Sequence, residues 1–380
     1  MIFNTEYCCL NNLESHPFTY TELRQRSFSL FFMRYKVLGQ SGLRVSELCL
    51  GTMTFGTDSA IGADYETSKG VFDAFANAGG TFVDTANRYM NGTSEKWVGE
   101  FVAADRDHFV VATKYSLLDR TGDLNYAGNH RKNMMRSVEA SLKRLNLECV
   151  DLFWLHAWDG VTPIEEVMRG LDDLVSQGKV HYVGISDTPA WVVSQANTIA
   201  DFRGWSRFVA LQVEYSLTQR TPERELLPMA LAHEMSITSW GSLAGGALTA
   251  KYLKGEAGRV PEKSARRSDR ANTIAQVVVD VAVELNTSPA AVALAWVKFY
   301  SPLMIPIVGA RRAEQLVDSL KVVDIKLEPT QLERLQQASA IELGFPHDFL
   351  KSDAVTDVLY GGELRKLDFP YYRGSRPVSF

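Results

Sequence analysis

The feature that most constrains this chain is a regular alternation of short apolar runs with segments of helical periodicity. Buried strands that are each followed by a helix are typical of a parallel sheet. Eight such units favour closure into an α/β fold of the (α/β)8 TIM barrel type. No glycine-rich phosphate loop follows the first run, which disfavours a doubly wound sheet. The eight runs lie near residues 47–50, 81–84, 109–113, 151–155, 180–184, 209–213, 236–240 and 304–308.

Two of the intervening segments predict helices with particular clarity. Residues 131–145 and 163–175 each carry apolar side chains on one face. For the second helix, Thr162 is predicted as the N-cap, Pro163 as the first helical residue and Glu165 as the partner that completes a capping box. The apolar face of that helix consists of Ile164, Val167, Met168, Leu171, Leu174 and Val175.

The periodic pattern also predicts how the chain is divided. Residues 33–345 are predicted to form the barrel, and the alternating runs around Gly39 and Gly42 predict a β-hairpin at 34–46. Residues 1–32 show no clear period, so we expect a dispensable, poorly ordered N-terminal extension, with Met33 as a candidate start of translation. We expect residues 346–380 to form a tail or loop near the barrel mouth.

Composition excludes several classes of partner. The net charge of −5 gives no indication of binding to nucleic acid or to an anionic membrane. No apolar run approaches the roughly 20 residues that a membrane-spanning helix needs. The four cysteines, Cys8, Cys9, Cys49 and Cys149, fit no metal-ligand spacing, so we expect a reduced, cytoplasmic protein without a metal site.

Four polar residues follow consecutive predicted strands at the face where barrel enzymes place their chemistry. Asp84 ends the second run and Tyr89 lies five residues further on, while Lys114 and His156 end the third and fourth runs. Singly, each has an ordinary explanation, since a histidine at a strand end is more often a hydrogen-bonded core residue. Together they predict a relay in which Asp84 holds Lys114, and the ammonium lowers the pKa of the Tyr89 phenol so that it can protonate an oxygen.

The chemistry of this set implies a cofactor. It contains no strong nucleophile and no metal cluster, whereas an acid aimed at an oxygen needs a partner that changes the attached carbon. Hydride arriving at a carbonyl carbon is the natural partner, and side chains cannot supply it. A nicotinamide cofactor is therefore implied.

Several motifs resemble those of the aldo-keto reductases, in the expected order and spacing across residues 33 to about 345. They are DTANRYMNGTSE, VVATK, WLHAWD, VGISD, LQVEYSL, SWGSLAGGALTAKY and PIVGARRAEQL. GTSEKWVGEF, GNHRKNM and LHAWD most closely resemble the bacterial and fungal branch related to aryl-alcohol dehydrogenases.

The resemblance implies NADP(H)-dependent reduction of a small-molecule aldehyde or ketone, in a barrel whose bottom is closed by the hairpin at 34–46. It implies Tyr89 as the general acid, Lys114 and Asp84 as its supporting pair, and His156 as the fourth catalytic residue.

The resemblance also implies a cofactor site along the barrel mouth. Trp240 would stack under the nicotinamide ring, with a core aromatic as the alternative, and Lys251 would face the diphosphate. Arg311 would meet a 2′-phosphate and favour NADP(H) over NAD(H), with a solvent-exposed helix cap as the alternative. The implied cofactor-binding residues are Gly51, Thr52, Met53, Ser186, Asp187, Gln212, Trp240, Gly241, Ser242, Leu243, Gly245, Lys251, Gly309, Arg311, Gln315, Asp318 and Ser319.

Three positions depart from the family pattern. Many members have asparagine where this chain has Asp187, and an ionised aspartate cannot donate to the nicotinamide carboxamide. Many have proline where Ser242 stands, so we expect a slightly looser turn. Ser319 stands where asparagine is frequent, so we expect weaker contacts to adenine.

The substrate side is predicted only in outline. The segments 117–130 and 341–372, together with Tyr115 and Trp158, are candidates to line a pocket for aryl or medium-chain aldehydes. The same residues could instead pack the loops themselves. The apolar or aromatic candidates on the two segments are Leu117, Leu118, Tyr126, Phe345 and Phe349.

A second class of function shares this fold. Proteins similar to the potassium-channel β subunits bind NADP(H) as regulators and often have an altered acid set. All four catalytic residue types are present here, which favours an enzyme. A metal-dependent barrel hydrolase has too few carboxylate and histidine ligands at the strand ends.

Overall fold

The computed structural model describes residues 33–256, 258 and 260–367 of the 380-residue chain. The prediction of a disordered extension at 1–32 therefore lies outside the described residues, as does the C-terminal tail from residue 368 onward. The described part of that tail, from residue 346, includes two short helices, His347–Leu350 and Asp353–Leu359.

Eight parallel strands, β3 to β10, form a closed barrel in which β10 pairs with both β9 and β3. Helices surround this barrel, so the prediction of an (α/β)8 TIM barrel is confirmed. Each predicted run overlaps one strand. The strands are β3 Cys49–Gly51, β4 Phe82–Asp84, β5 Val110–Tyr115, β6 Val150–Leu155, β7 Val180–Ser186, β8 Phe208–Glu214, β9 Ser236–Trp240 and β10 Met304–Val308.

Alternation along the strands divides their side chains between two apolar layers. A small inner cluster fills the barrel and includes Phe82 and Ala112, whereas their neighbours Val83 and Val111 pack in the larger layer under the helices. Two residues further along the same strands, Asp84 and Lys114 have the same parity as Phe82 and Ala112. Their polar side chains therefore belong to the barrel interior at its carboxyl end.

The predicted hairpin is present as β1 Tyr35–Val37 and β2 Arg44–Ser46, which pair antiparallel. Leu38 and Val45 belong to the inner barrel cluster, and the Gly39 N–H donates to Ser236 Oγ (2.8 Å) at the start of β9. Gly39 has a φ of +53°, and a Cβ there would lie 2.1 Å from Val209 O, so only glycine fits. The hairpin thus closes the bottom of the barrel, as expected.

Most helices of the outer layer bury one face, whereas the helix Pro289–Phe299 is almost wholly buried. Arg131–Leu145 has the predicted bounds, and Ile164–Ser176 lies one residue from them. The described α-helices are Tyr65–Asn77, Thr93–Val102, Arg131–Leu145, Ile164–Ser176, Ala190–Arg203, Leu226–Ala232, Asp269–Glu284, Pro289–Phe299, Ala313–Leu320, Pro329–Ala338, His347–Leu350 and Asp353–Leu359.

The predicted cap of the helix Ile164–Ser176 is wrong. Pro163 occupies the N-cap position, and no side chain caps this helix. Thr162 lies one residue before the N-cap position. Its N–H (2.9 Å) and its hydroxyl (2.7 Å) both donate to the Asp159 carboxylate. A local carboxylate has therefore competed successfully for the predicted capping hydroxyl.

The described residues contain neither a straight membrane-spanning helix nor a metal-ligand cluster. No single helix there is long and apolar enough to cross a bilayer, although one pair bent by 101°, Asp269–Glu284 with Pro289–Phe299, passes the test of length and composition. The same residues contain no group of three or more His, Cys, Asp or Glu side chains that could hold a metal ion.

Candidate active site

The four residues predicted to act together do meet at the carboxyl end of the barrel. Lys114 lies near the end of β5, and Asp84 ends the neighbouring strand β4; their side chains are 0% and 2% exposed. The Lys114 ammonium forms an ion pair with Asp84 Oδ2, and it also donates to Thr85 O (2.9 Å) and Tyr89 OH (3.2 Å). All three of its N–H bonds are thereby engaged.

Tyr89 is delivered by an irregular turn beyond β4. The turn Tyr89–Gly92 contains Met90 and Asn91 at φ values of 46° and 50°, and Gly92 at 96°. Non-glycine residues with positive φ are uncommon and concentrate where a structure fixes a functional group. The Tyr89 N–H donates to Ala86 O (3.1 Å), which ties the start of this turn to the strand exit.

The charges of Lys114 and Asp84 depend on each other. Burial by itself would lower the pKa of the Lys114 ammonium, but the adjacent Asp84 carboxylate holds that pKa above its ordinary value. Burial raises the pKa of Asp84, while Lys114 and the Gln212 amide act in the opposite direction. Lys114 therefore stays charged at neutral pH, which is what a partner for a phenol requires.

The expected shift of Tyr89 is only partly correct. Lys114 does lower the pKa of the phenol, but burial outweighs this contribution and raises the pKa above its ordinary value. The sequence-based expectation of a net lowering is therefore wrong in sign for this structure, because desolvation of a phenolate opposes the ammonium. The phenol keeps its proton at neutral pH and is ready to donate it.

His156 lies beside the phenol. Its ring centroid is 5.9 Å from that of Tyr89, at an interplanar angle of 85°. Burial and the nearby Lys114 charge lower the pKa of His156 to about 3, so the imidazole is neutral at physiological pH. Its buried Nδ1 has no hydrogen-bond partner among the described residues. A neutral imidazole has one N–H group, with which it can donate a hydrogen bond, but it has no additional acidic proton to transfer.

The residues implied for the carboxamide line the exits of β7 and β8. Ser186 is buried, and its Oγ has no partner within the described part of the chain. Gln212 Nε2 donates to Asp84 Oδ1 (3.2 Å), so this amide links the cofactor side to the catalytic pair. Its carbonyl oxygen remains as an acceptor. An unpaired buried hydroxyl beside an amide fits a ligand group that both donates and accepts.

Trp240 does not lie in the apolar core. It ends β9 with its ring partly exposed, and its Nε1–H donates to Asp187 Oδ1 (3.4 Å). Asp187 adopts a φ of 38°, which places its backbone in the left-handed region. Burial raises the pKa of the Asp187 carboxyl, and the hydrogen bond from Trp240 acts in the opposite direction. The exposed indole at the mouth is available to a planar ring.

The turn after β9 has the backbone of an anion site. Gly241, Ala244, Gly245 and Gly246 have positive φ values of 69°, 50°, 69° and 95°. Leu243, at a φ of −99°, followed by the left-handed Ala244 gives the pair of conformations that forms an anion-binding concavity, whereas the N–H groups of Ala244 and Gly246 already donate to Gly241 O (2.7 Å) and Leu243 O (2.8 Å). The Lys251 side chain crosses this turn, since a Cβ on Gly246 would lie 2.6 Å from Lys251 Cε.

The looser turn expected at Ser242 stays a prediction. The buried hydroxyl of Ser242 donates to Ser239 O (3.1 Å), which ties the turn to the end of β9. The neighbouring Leu243 is partly buried against the apolar core. Side-chain bonds and backbone bonds, such as that from the Ala244 N–H to Gly241 O (2.7 Å), therefore hold this turn together.

The exit of β10 leads into the helix Ala313–Leu320, whose N-terminus no side chain caps. Arg311 is exposed just before it, and its backbone N–H donates to Gln315 Oε1 (3.1 Å). Arg311 forms no ion pair with any described residue. Ser319 is buried and its hydroxyl donates to Gln315 O (3.1 Å), while Asp318 pairs with Lys321 (2.6 Å). Gly309 is exposed at the start of this segment.

At the exit of β3, the implied site residues are Gly51, Thr52 and Met53, of which only Thr52 has a polar side chain. The hydroxyl of Thr52 donates to Asp84 O (3.0 Å), so this buried side chain supports the catalytic strand. Gly51 pairs with Asp84 in the barrel register, and Met53 is 39% exposed at the mouth.

The candidate substrate residues separate into two groups. Tyr115 is wrong as a lining residue: it is fully buried under the helices, stacks on Phe153 (5.2 Å between centroids) and donates its hydroxyl to Asn129 O (3.3 Å). Tyr126 packs its own loop. Trp158 is partly buried against the core. Phe345 and Phe349 are exposed, at 83% and 54%, and Leu118 is 39% exposed.

Sequence reasoning missed a polar network beside the acid. Asn87 is 3% exposed and donates through Nδ2 to Asp119 Oδ1 (2.7 Å), which connects the exit of β4 to the loop 117–130. The only signal in the sequence was an asparagine two residues before Tyr89. Its partner lies 32 residues away, so no local pattern identifies it.

Comparison with known proteins agrees with this geometry. The profile of the Aldo/keto reductase family matches residues 47–340. An aryl-alcohol dehydrogenase [NADP(+)] of Phanerodontia chrysosporium is 39% identical over 329 residues, which cover 80% of this chain and 86% of that protein. A norsolorinic acid reductase of Aspergillus flavus is 36% identical over 327 residues, 83% of this chain and 84% of its own length. These matches confirm the resemblance seen in the motifs.

Proposed function

Because this chain belongs to the aldo/keto reductase family and is an oxidoreductase, we propose that it reduces aldehydes or ketones to alcohols with NADPH, using Tyr89 as the general acid. The observation that carries the proposal is the Lys114 ammonium, which contacts Asp84 and the Tyr89 hydroxyl at once (3.2 Å to the latter) inside the barrel mouth. An arrangement of this kind has one evident use, the delivery of a proton to an oxygen.

The residues of this chain share the work of the reaction. Bound NADPH supplies the hydride for the carbonyl carbon. Tyr89 donates its phenolic proton to the carbonyl oxygen, which becomes the alcohol hydroxyl. The Lys114 ammonium stabilises the phenolate left behind, and Asp84 keeps Lys114 charged and in place. His156, as a neutral imidazole, can donate its N–H to the same oxygen and orient it.

The cofactor would lie across the mouth from β7 to β10. Ser186 and Gln212 offer a hydroxyl and an amide for the carboxamide, and the exposed Trp240 offers a face for the ring. The turn that contains Gly245, with Lys251, suits the diphosphate. Arg311 and the uncapped helix N-terminus beside it suit a 2′-phosphate.

We propose aryl aldehydes and ketones as the substrate class. Two relatives are called an aryl-alcohol dehydrogenase and a norsolorinic acid reductase, and the mouth of this barrel is bordered by apolar side chains such as Leu118 and Met53. The charge balance and cysteine content also support a cytoplasmic protein that binds neither nucleic acid nor membranes.

The alternative is an NADP(H)-binding regulatory subunit without significant turnover. Steady-state consumption of NADPH with a panel of aryl and aliphatic aldehydes separates the two functions. We expect saturable consumption with equimolar alcohol formation. Tight NADPH binding with no alcohol produced from any aldehyde would favour the regulator.

The titration of the site predicts an asymmetric pH dependence. The pKa of Tyr89 is raised, so the phenol stays protonated across the neutral range, and the pKa of His156 is lowered to about 3, so the imidazole stays neutral. We therefore expect kcat for reduction, at saturating NADPH, to be flat between about pH 6 and 9. Alcohol oxidation needs the phenolate and should rise with pH over the same range. A loss of reductase activity as His156 deprotonates, near its ordinary pKa of about 6.5, would contradict this assignment.

Arg311 provides a test of cofactor preference. If its guanidinium pairs with the 2′-phosphate, Arg311→Ala should raise KM for NADPH by about 10- to 100-fold, the equivalent of one charged hydrogen bond, and leave KM for NADH nearly unchanged. Arg311→Lys keeps the positive charge but loses the paired N–H donors of the guanidinium, so its KM for NADPH should lie between those of the wild-type protein and Arg311→Ala. Arg334→Ala is a matched control, because Arg334 pairs with Glu284 on outer helices. Equal effects of Arg311→Ala on both cofactors would remove Arg311 from the site.

A further inference from the structure

The loop that follows β5 is closed on itself. At its base, the Gly128 N–H donates to Ser116 O (2.8 Å), and one turn further in, the Asp119 N–H donates to Tyr126 O (3.0 Å). The ends of residues 116–129 are therefore close together, as in a compact Ω-loop packed by its own side chains. Two guanidinium groups pack on the Tyr126 ring, with their Cζ atoms 3.9 Å (Arg120) and 4.2 Å (Arg136) from the ring centroid.

The first anchor of this loop is the carboxylate of Asp119. Its Oδ1 accepts from Asn87 Nδ2 (2.7 Å), and its Oδ2 accepts from Arg136 Nη2 (2.8 Å) on the helix Arg131–Leu145. Asn87 Nδ2 also donates to Leu117 O (3.2 Å). Because both of its partners are acceptors, the orientation of the Asn87 amide is fixed by the network. Asp119 is 14% exposed, so these charged hydrogen bonds are largely shielded from water.

The same anchor is joined to the catalytic residues. Asn87 lies two residues before Tyr89, and its backbone N–H donates to Lys114 O (3.3 Å). Asn87 therefore connects the exits of β4 and β5 through its backbone N–H, and its side chain bonds the loop that leaves β5.

The second anchor joins the loop to the exit of β6. Asp159 Oδ2 accepts from the Asn129 N–H (2.7 Å), Asn129 Oδ1 accepts from the Asp159 N–H (2.7 Å), and Asn129 Nδ2 donates to Ala157 O (2.8 Å). Ala157 follows His156 directly, and Asp159 lies three residues after His156. The two anchors thus tie the loop to the exit of β4, which carries Tyr89, and to the exit of β6, which carries His156, and the rings of these two residues lie 5.9 Å apart.

We propose that Asn87, Asp119 and Arg136 are positioning residues that hold the loop 116–129 as a preformed wall of the substrate site, and thereby favour bulky aryl carbonyls over small aliphatic ones. The inference rests on the proposed function. A wall fixed before binding spares the complex the entropic cost of ordering a loop. Only a substrate large enough to touch the wall gains from this, so the network acts on substrate choice and not on the cofactor.

The test compares two aldehydes in Asp119 variants. In Asp119→Ala, kcat/KM for 2-naphthaldehyde should fall by about tenfold or more, the scale of one lost charged hydrogen bond, mainly through KM. In the same variant, kcat/KM for acetaldehyde and the dissociation constant of NADPH should each change by no more than about twofold. The matched control is Asp173→Ala: Asp173 is a 17%-exposed carboxylate that pairs with Arg131 and Arg169 on the outer helices, and its loss should leave both aldehydes unaffected.

Exchanging the two side chains distinguishes positioning from general stability. Asn87→Asp sets two carboxylates against each other, and Asp119→Asn removes the charge that Arg136 needs, so each should lower the selectivity for 2-naphthaldehyde. In the double variant Asn87→Asp with Asp119→Asn, the new amide at position 119 can donate to the new carboxylate at position 87 and accept from Arg136, while the bond to Leu117 O stays lost, so selectivity should recover only in part. Loosening is also measured without turnover, because trypsin should cut after the exposed Arg120 faster in folded Asp119→Ala than in the wild-type protein.

Three outcomes would overturn the inference. They are equal losses for both aldehydes in Asp119→Ala, a matching loss of NADPH affinity, and an unchanged rate of cleavage at Arg120. Each would occur with an active wild-type enzyme, so the proposed function would survive. Absence of wild-type turnover with every carbonyl tested would instead overturn the proposed function and this inference together.

Discussion

Tyr89→Phe should lower carbonyl reduction by at least about 10²–10⁴-fold, the range typical of losing a general acid, while the protein stays folded and binds NADPH normally. The substitution keeps the ring that lies 5.9 Å from the His156 ring and removes only the hydroxyl that accepts from Lys114 (3.2 Å). Packing is therefore preserved, and the proton donor is lost.

The measurement should separate chemistry from binding. Single-turnover reduction at saturating NADPH reports the chemical step, and quenching of tryptophan fluorescence reports cofactor affinity. Tyr215→Phe is a suitable control, because Tyr215 is also buried and also uses its hydroxyl, which donates to Glu223 (2.7 Å), while its ring stacks on Trp296 and not on the catalytic residues. A folded Tyr89→Phe protein that reduces aldehydes at a near-normal rate would show that Tyr89 is only a packed aromatic.

The barrel and the catalytic set could be predicted because both follow from order along the chain. Eight apolar runs separated by helical periods leave few alternatives to a closed parallel barrel. Once the barrel is assumed, the residues that end successive strands must meet at one mouth, so Asp84, Lys114 and His156 could be grouped without coordinates.

The same alternation excludes Tyr115 from the substrate site, although the sequence offers it as a lining residue. Its neighbour Lys114 points into the barrel. Successive side chains of a strand face opposite sides, so Tyr115 had to face the helices, where it stacks on Phe153.

Other features depend on long-range packing that the sequence does not display. The sign of the Tyr89 pKa shift depends on how completely the phenol is desolvated, which is a property of the assembled mouth. Asp119 binds Asn87, which lies 32 positions before it in the sequence, and Arg136, which lies 17 positions after it. The Thr162 hydroxyl binds the Asp159 carboxylate and does not cap the helix, and residue propensities do not predict which of these two local hydrogen bonds forms.

The structure adds a consequence for stability to the catalytic role of Lys114. Lys114→Met removes the ammonium beside Asp84, whose side chain is only 2% exposed. Breaking a buried ion pair by deleting one partner typically costs about 3–5 kcal/mol, because the remaining charge has no compensation. We therefore expect a clear fall in the free energy of unfolding, together with a loss of reduction comparable to that of Tyr89→Phe.

Two double variants separate these effects. Asp84→Asn with Lys114→Met removes both charges, so most of the lost stability should return while reduction stays low, since no ammonium is left to stabilise the phenolate. Tyr89→Phe with Lys114→Met should be about as slow as the worse single variant, because the residues act as one unit. Lys298→Met is the matched control, since Lys298 pairs with Glu47 (2.6 Å; 18% and 4% exposed) in a second shielded ion pair. It should lose stability and keep its activity. If removing both charges restored reduction as well as stability, the ammonium would be a structural group and the proton relay would be wrong.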